Sequence, residues 1–399
     1  MRITHVTDVF LPRIGGIEVQ VAGLAHAQAD ARRRVTVITA TPSATGPAVE
    51  EPVPVVRLSG RRGSMFGPPV RSIRAAVARS LPDVLHCHTS LLSPLAVSAV
   101  RYGVLAGIPT VVTVHSTWGA PIRAVYGWAD GLSRWSGWPV VWTTVSTSCV
   151  DAMRPLLPAG ELVLVPNAID VRAWAGAAQG VRPGTGVHVV AVGRLAARKQ
   201  SMNLLRVLRG ARERLPATIG LRATIVGEGS ERARMLQYLA RYGMSGWVRM
   251  TGALSPGGVR DVVCGADVFL APARLESFGI AALEARTAGV PVLARAGTGI
   301  ADFVRHGREG LLARSRAEMV EGLVRLAVDP GLRASIALHN QRVVPWRYDW
   351  PAVLSALDGC YEQARNLCSR PALSLAPDGA GSTTNPVRPG LRVQSPGHG

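Results

Sequence analysis

Short apolar runs rich in valine, isoleucine and threonine alternate along this chain with Ala- and Leu-rich stretches whose apolar positions recur at helical spacing. In the first half the runs fall at Arg2–Val6, Val35–Thr39, Val53–Arg57, Val84–Cys87, Thr110–Val114 and Trp142–Val145. Strands separated by helix-sized connections pair in parallel, so this half reads as an α/β sheet. Residues 173–186 are turn-rich and lack periodicity, which marks an interdomain linker. A second series follows at His188–Val192, Arg222–Val226, Val248–Thr251, Val268–Ala271 and Val290–Ala294, each expected to lead into a helix of ten or more residues. The pattern predicts two doubly wound, Rossmann-like domains, residues 1–172 and 187–345, with ligands beyond the carboxyl ends of the strands and in the cleft between the domains. Residues 346–366 read as a last helical segment. Residues 367–399 turn Pro-, Gly- and Ser-rich and are expected to be a disordered tail.

Composition narrows the picture. A chain of 399 residues with 47% hydrophobic and 18% charged positions is long enough for two cores. No run of apolar residues is long enough to span a bilayer, and Met1 to Val6 reads as a strand rather than a signal peptide. The expectation is a cytoplasmic protein. The five cysteines, Cys87, Cys149, Cys264, Cys360 and Cys368, show no C-x-x-C spacing and read as reduced thiols. A net charge of +19 points to anionic partners. Most of the excess lies in residues 171–399, with 30 basic against 16 acidic residues. Of the 45 basic residues, Lys199 is the only lysine.

Candidate chemistry gathers at strand ends. In Ala271 to Ala285 a strand end, a short loop and a helix start surround Glu276 and Glu284. On a continuous helix the two side chains would stand ~80° apart and ~12 Å along the axis. With the helix opening near Ser277, the free N–H groups of Ser277, Phe278 and Gly279 would face an anion. Glu284 sits in a segment headed for burial, where an unpaired carboxylate is costly. Gly15 and Gly16 precede a helical run and would let the backbone approach a ligand closely. His86, His88 and His115 lie at strand ends. The H-x-H pair would share one strand face with no third ligand nearby, so no metal site is expected.

The segment Glu276-Ser277-Phe278-Gly279 through Glu284-Ala285 resembles the signature of the family-4 retaining glycosyltransferases of the GT-B fold, and the resemblance extends over roughly residues 1–365. It implies that Glu276 contacts hydroxyls of the donor sugar and Glu284 the ribose. Gly193-Arg194-Leu195 with Lys199 is similar to the family's diphosphate motif, which makes Arg194 and Lys199 the grip on the leaving group. Gln200 stands there where glycine or a basic residue is commoner. Pro12 to Glu18 resembles the family's glycine loop, which borders the acceptor and reaches the donor phosphate. His115 matches the position that contacts the donor hexose, with His88 behind it. Glu228 falls in a loop similar to the one near the base, and Asn167 with Asp170 in a turn that shapes the domain's end. Trp346 to Trp350 matches the place where the last helix crosses back onto the first domain.

The resemblance thus implies His115, Glu276, Arg194 and Lys199 as catalytic candidates, with Gly15, Gly16, Glu228, Ser277, Phe278, Gly279 and Glu284 completing a donor site. His88, Trp118, Arg61 and Arg62 are acceptor-side candidates, because arginines beside Met65 and Phe66 and five tryptophans between Trp118 and Trp142 fit an anionic membrane surface. The expected reaction moves a hexose or N-acetylhexosamine from a UDP- or GDP-sugar to a glycan or lipid-linked acceptor, with retention of configuration and neither cofactor nor metal. Asp130 is the nearest loop carboxylate in the first half and has no evident role as nucleophile. Two other readings compete: a sugar-nucleotide epimerase or phosphorylase of similar architecture, and a silent nucleotide- or nucleic-acid-binding protein. Phosphorylases need a cofactor-bearing lysine in another setting, and no nucleic-acid recognition motif is present.

Overall fold

The computed structural model describes residues 1–43, 52–58, 68–157, 162–178 and 186–369. Thirteen strands among them form two sheets. The first holds β1 (Arg2–Thr7), β2 (Arg34–Thr39), β3 (Val55–Arg57), β4 (Val84–Thr89), β5 (Thr110–Val114), β6 (Val141–Thr144) and β7 (Leu162–Leu164) in the order β3-β2-β1-β4-β5-β6-β7. The second holds β8 (Gly186–Val192), β9 (Gly220–Val226), β10 (Val248–Gly252), β11 (Val268–Ala271), β12 (Val292–Arg295) and β13 (Gly310–Ala313) in the order β10-β9-β8-β11-β12-β13. Every pairing is parallel. Helices cover both faces, which is why β4, β5 and β6 are buried at every position, His86, His88 and the threonines included.

The order reverses between β1 and β4 in one sheet and between β8 and β11 in the other. Crevices open at such switch points beyond the strand ends. Here they receive the loops carrying Gly15, Lys199 and Glu276.

Two edge strands, β7 and β13, were not foreseen from the sequence. β7 (LVL) is three residues long, and β13 (GLLA) has no β-branched residue to mark it as a strand. The ten-residue helix expected after β12 is also absent among the described residues: a single 3₁₀ turn, Gly299–Asp302, follows instead, and β13 comes next.

The helix Trp350–Ser369 lies against the first sheet, burying Val353, Leu357, Cys360, Tyr361 and Ala364 with Ile3, Leu24, Val84, Val111 and Val141. Buried side chains of this size contribute roughly 1.5–3 kcal/mol each, so the anchor is firm. The helix carries through Leu367, Cys368 and Ser369, three residues into the stretch read as a tail, because its apolar face continues onto Leu367. Residues 370–399 lie outside the described set, as do Arg61, Arg62, Met65 and Phe66. All five cysteines are free thiols.

Direct contacts join the domains. The Ser277 hydroxyl accepts from the Thr117 N–H at 2.9 Å. Asp302 accepts from the Thr147 N–H at 2.8 Å and from its hydroxyl. Val145, Cys149 and Ile169 share one apolar cluster with Phe278, Ile300 and Tyr348.

Candidate active site

On the second-domain side, the chain leaving β8 makes a one-turn helix, Ala197–Lys199, that ends at Gln200 with φ at 55°. That left-handed conformation explains why glycine is common at this position in the resembled family: a side chain there is strained. The turn lays Lys199 over the loop after β11, where its Nζ donates to Glu276 Oε2 at 2.7 Å. Both groups keep solvent contact, with 37% of the lysine and 18% of the glutamate side chain exposed.

The following helix opens at Ile280, not near Ser277, because Gly279 takes φ at 92° and terminates the loop. Glu276 and Glu284 therefore do not share a continuous helix: one rides the loop, the other the Ile280–Ala288 helix. A side chain on Gly279 would strike Ile300 at 2.6 Å. The N–H groups of Ser277, Phe278 and Gly279 engage no protein acceptor among the described residues. The Phe278 ring, by contrast, is core, packed on Phe303 and Tyr348. Ser277 spends its hydroxyl on the first domain.

Glu284 is half-buried, and burial alone pushes its pKa up to about 8. At neutral pH the Glu284 carboxyl is therefore protonated, with one O–H to donate and a carbonyl oxygen to accept. Glu228 is exposed, pairs with Arg232 at 3.2 Å and lies over Gly252.

Across the cleft, Gly16 starts the Gly16–Asp30 helix and Glu18 sits in its first turn, 2% exposed. Arg194 reaches over from the second domain, donating to Glu18 Oε1 and to the Ile14 carbonyl, each at 3.0 Å. Arg13 adds a second pairing to Glu18 at 3.1 Å. A Cβ at Gly15 would collide with the ends of the Arg194 and Glu18 side chains, so a larger residue there would displace this pair. Glu18 stands in the quoted Pro12 to Glu18 motif, yet its role as the holder of Arg194 was not foreseen.

Deeper in the first domain, register places His5 beside His86, and Thr7 beside His88. His5 is the third imidazole that sequence spacing alone had excluded: nitrogens of His5, His86 and His88 come within 4.8 Å of one another. Their nitrogens are all engaged in hydrogen bonds. His5 Nε2 meets Gln28 Oε1 at 2.7 Å and His5 Nδ1 meets His88 Nε2 at 2.9 Å. His88 Nδ1 meets His115 Nε2 at 3.0 Å. His86 bridges the Tyr361 hydroxyl and Thr113. The cluster is a hydrogen-bond network filled by its own members.

Burial keeps these rings neutral: it lowers His5 and His115 to about 4, and His86 and His88 well below their usual range. A neutral imidazole has one donor and one acceptor, so the chain must run in one sense. Gln28 Nε2 donates to Tyr361, which leaves its Oε1 to accept from His5. His5 then accepts from His88, and His88 from His115. The free Nδ1 of His115 is thereby a lone pair, buried and without a partner. The opposite sense would leave an orphan N–H, the costlier arrangement.

The remaining candidates fall elsewhere. His88 is 3% exposed and acts inside this chain rather than toward an acceptor. Trp118, expected on the acceptor side, is 3% exposed in the core, stacked on Tyr126 at 4.0 Å, because its apolar ring area is worth more buried. Trp128 is exposed on the Ala120–Ser133 helix. Asp130 lies in that helix rather than in a loop, and both its oxygens accept from Ser136. Asp170 caps the Val171–Trp174 helix through the Ala173 N–H.

Known proteins match this chain in both halves. A model described as Glycosyltransferase Family 4 matches residues 14–173, and one described as Glycosyl transferases group 1 matches residues 186–329. The glycogen synthase of Mycobacterium tuberculosis is 27% identical, over 92% of this chain and 95% of that protein. A D-inositol 3-phosphate glycosyltransferase of Pseudarthrobacter chlorophenolicus is also 27% identical, over 81% and 84%. Among solved structures, Anabaena HepE, determined with UDP and glucose, superposes with a TM-score of 0.72 at 18% identity, over 91% of this chain and 99% of that one.

Proposed function

Since the chain belongs to the family-4, group 1 glycosyltransferases of the GT-B fold, we propose that it transfers a hexose or N-acetylhexosamine from a UDP- or GDP-sugar to an acceptor hydroxyl with retention of configuration. The observation that carries this reading is the Lys199–Glu276 pair, set beside unengaged N–H groups at a helix entrance and facing the Gly15 loop. A diphosphate at the N–H groups would gather charge as its bond to the sugar C1 breaks. Fixed donors and the Lys199 ammonium stabilise that charge. Arg194 would turn from Glu18 to the same phosphates. Glu276 and the His115 Nδ1 lone pair would accept hydrogen bonds from sugar hydroxyls, and Glu284 from the ribose.

Among the described first-domain carboxylates near the cleft, Glu18 is ion-paired, Asp8 accepts from the Leu95 and Ala96 N–H groups and Asp130 caps a turn. A same-face displacement fits that inventory: the acceptor hydroxyl attacks C1 as the C1–O bond to phosphate breaks, and its proton passes to the departing phosphate oxygen. Charge neutralisation by Arg194 and Lys199 would make a metal dispensable. The likeness to HepE, determined with UDP and glucose, favours a UDP-linked donor. Exposed Trp128 and Val125 on one helix, with exposed Leu92 also in this domain, favour a lipid-linked acceptor met at the inner face of a membrane. No helix among the described residues is long and apolar enough to cross one.

The test is incubation with a panel of nucleotide sugars, following released nucleoside diphosphate, then NMR of the product linkage. An anomeric centre opposite to the donor's would overturn retention. Release of diphosphate from no donor would sink the reading. Flotation with acidic liposomes checks the membrane surface.

A further inference from the structure

A cavity of about 550 Å³ opens at the carboxyl ends of the second sheet, beside the proposed donor site. Its wall carries Arg206, Arg234, Arg274, Arg295, Arg314 and Arg316. These come from separate elements: the Ser201–Arg212 and Arg232–Arg241 helices, the loop after β11, the end of β12 and the segment after β13. The one carboxylate in the lining is Glu231, and it stands 3.4 Å from Arg234. Nearby Glu318 is engaged by the Arg314 backbone N–H and the Ser315 hydroxyl.

The guanidinium groups of Arg206, Arg274, Arg295, Arg314 and Arg316 find no acceptor among the described residues. Arg295 is the telling one, because its Nε is fully buried without a partner. Burial, and then the charge of Arg274, lower its pKa below the ordinary arginine value. Cations converging on one cavity repel, and a buried guanidinium N–H without an acceptor costs desolvation that nothing among the described residues repays. An anion with several oxygens answers both problems, and the planar forks of arginine match phosphate geometry. The volume lies in the range of small-molecule pockets.

The smaller pocket under Lys199 and Glu276 shares only Ser201 with this lining. The donor's diphosphate, drawn to Lys199, would therefore leave the arginine cavity empty. We propose that this cavity is a second anion site, taking a phosphate-bearing group that is not the sugar donor.

The probe is inorganic pyrophosphate, titrated calorimetrically into the full chain, its Lys199→Ala variant and an Arg274→Ser/Arg316→Ser double variant. Both replaced arginines are exposed, so folding is not at stake. The Lys199→Ala variant should keep pyrophosphate binding at the arginine cavity, and the double variant should weaken binding there by at least about tenfold, as expected on losing charge-assisted pairs. A parallel arm sediments the proteins with phosphatidylglycerol or phosphatidylcholine vesicles. Binding to the anionic vesicles, lost in the double variant and displaced by pyrophosphate, would identify the group as a lipid head group; pyrophosphate binding alone would identify a soluble phosphate. Binding lost in Lys199→Ala but kept in the double variant would put the phosphate in the donor pocket, sinking this inference and leaving the proposed transferase standing. Absence of binding in both arms overturns it as well.

Discussion

The two walls of the cleft are built on opposite electrostatic principles. On the first-domain wall, His5, His86, His88 and His115 are buried, neutral and joined in one hydrogen-bonded chain that runs through Gln28 and Tyr361. On the second-domain wall, Lys199 and Glu276 form a half-exposed ion pair, and the Glu284 carboxyl has no hydrogen-bond or ion-pair partner among the described residues. A saturated network resists change, since moving one proton would reorder every member. An exposed pair contributes little stability and is readily exchanged for a ligand's charges. On the proposed reading, the contrast would separate a wall that holds one fixed acceptor from a wall that reorganises around a charged donor.

The sharpest break of this contrast is at the clamp. Lys199→Ala should lower kcat by about 10²-fold or more while leaving thermal stability within about 0.5 kcal/mol, because it removes charge stabilisation rather than a structural bond. Equal kcat would end its assigned role. On the opposite wall the balance should reverse. Gln28→Leu strands the His5 N–H, and stability should drop by about 1–3 kcal/mol. ¹⁵N NMR should then show His115 in mixed tautomers, with kcat/KM lower by roughly tenfold, the scale of losses when an orienting partner is removed. A single unchanged tautomer would show that Gln28 does not set the chain's direction.

Smaller effects follow from Glu284 and Gln200. Because burial raises the Glu284 pKa from 4.5 to about 8, stability from its protonated form is complete below the lower value and fades as pH rises through the upper one. Glu284→Gln should remove that slope, making the ligand-free protein more stable at pH 8 by roughly 1–2 kcal/mol, less than the full shift because the carboxylate keeps some water. Denaturant melts at both pH values check it. Gln200→Gly should add about 0.5 kcal/mol, relief of the left-handed strain outweighing the glycine's greater unfolded freedom. A loss of stability would show that the Gln200 side chain repays its own strain.

Much of this was legible along the chain. The apolar runs of β5 and β11 were located to the residue, since buried parallel strands write themselves as uninterrupted Val, Thr and Leu. Glu276, Lys199 and the Gly15 loop stood out because they share short, local motifs at strand ends. What the sequence could not show was which residues face one another. His5 joins His86 and His88 only through strand register, and Tyr361 reaches them only because the last helix returns to the first sheet. Arg194 meets Glu18 across 176 residues of separation. Trp118 reads as an acceptor-side candidate and lies in the core, because burial depends on what packs above a side chain. Local spacing thus determined most of the elements, the fold class and the candidate motifs, though not β7, β13 or the 3₁₀ turn after β12. Only the tertiary structure decided partners, burial and hydrogen-bond direction, since those depend on through-space distances that no single stretch of chain contains.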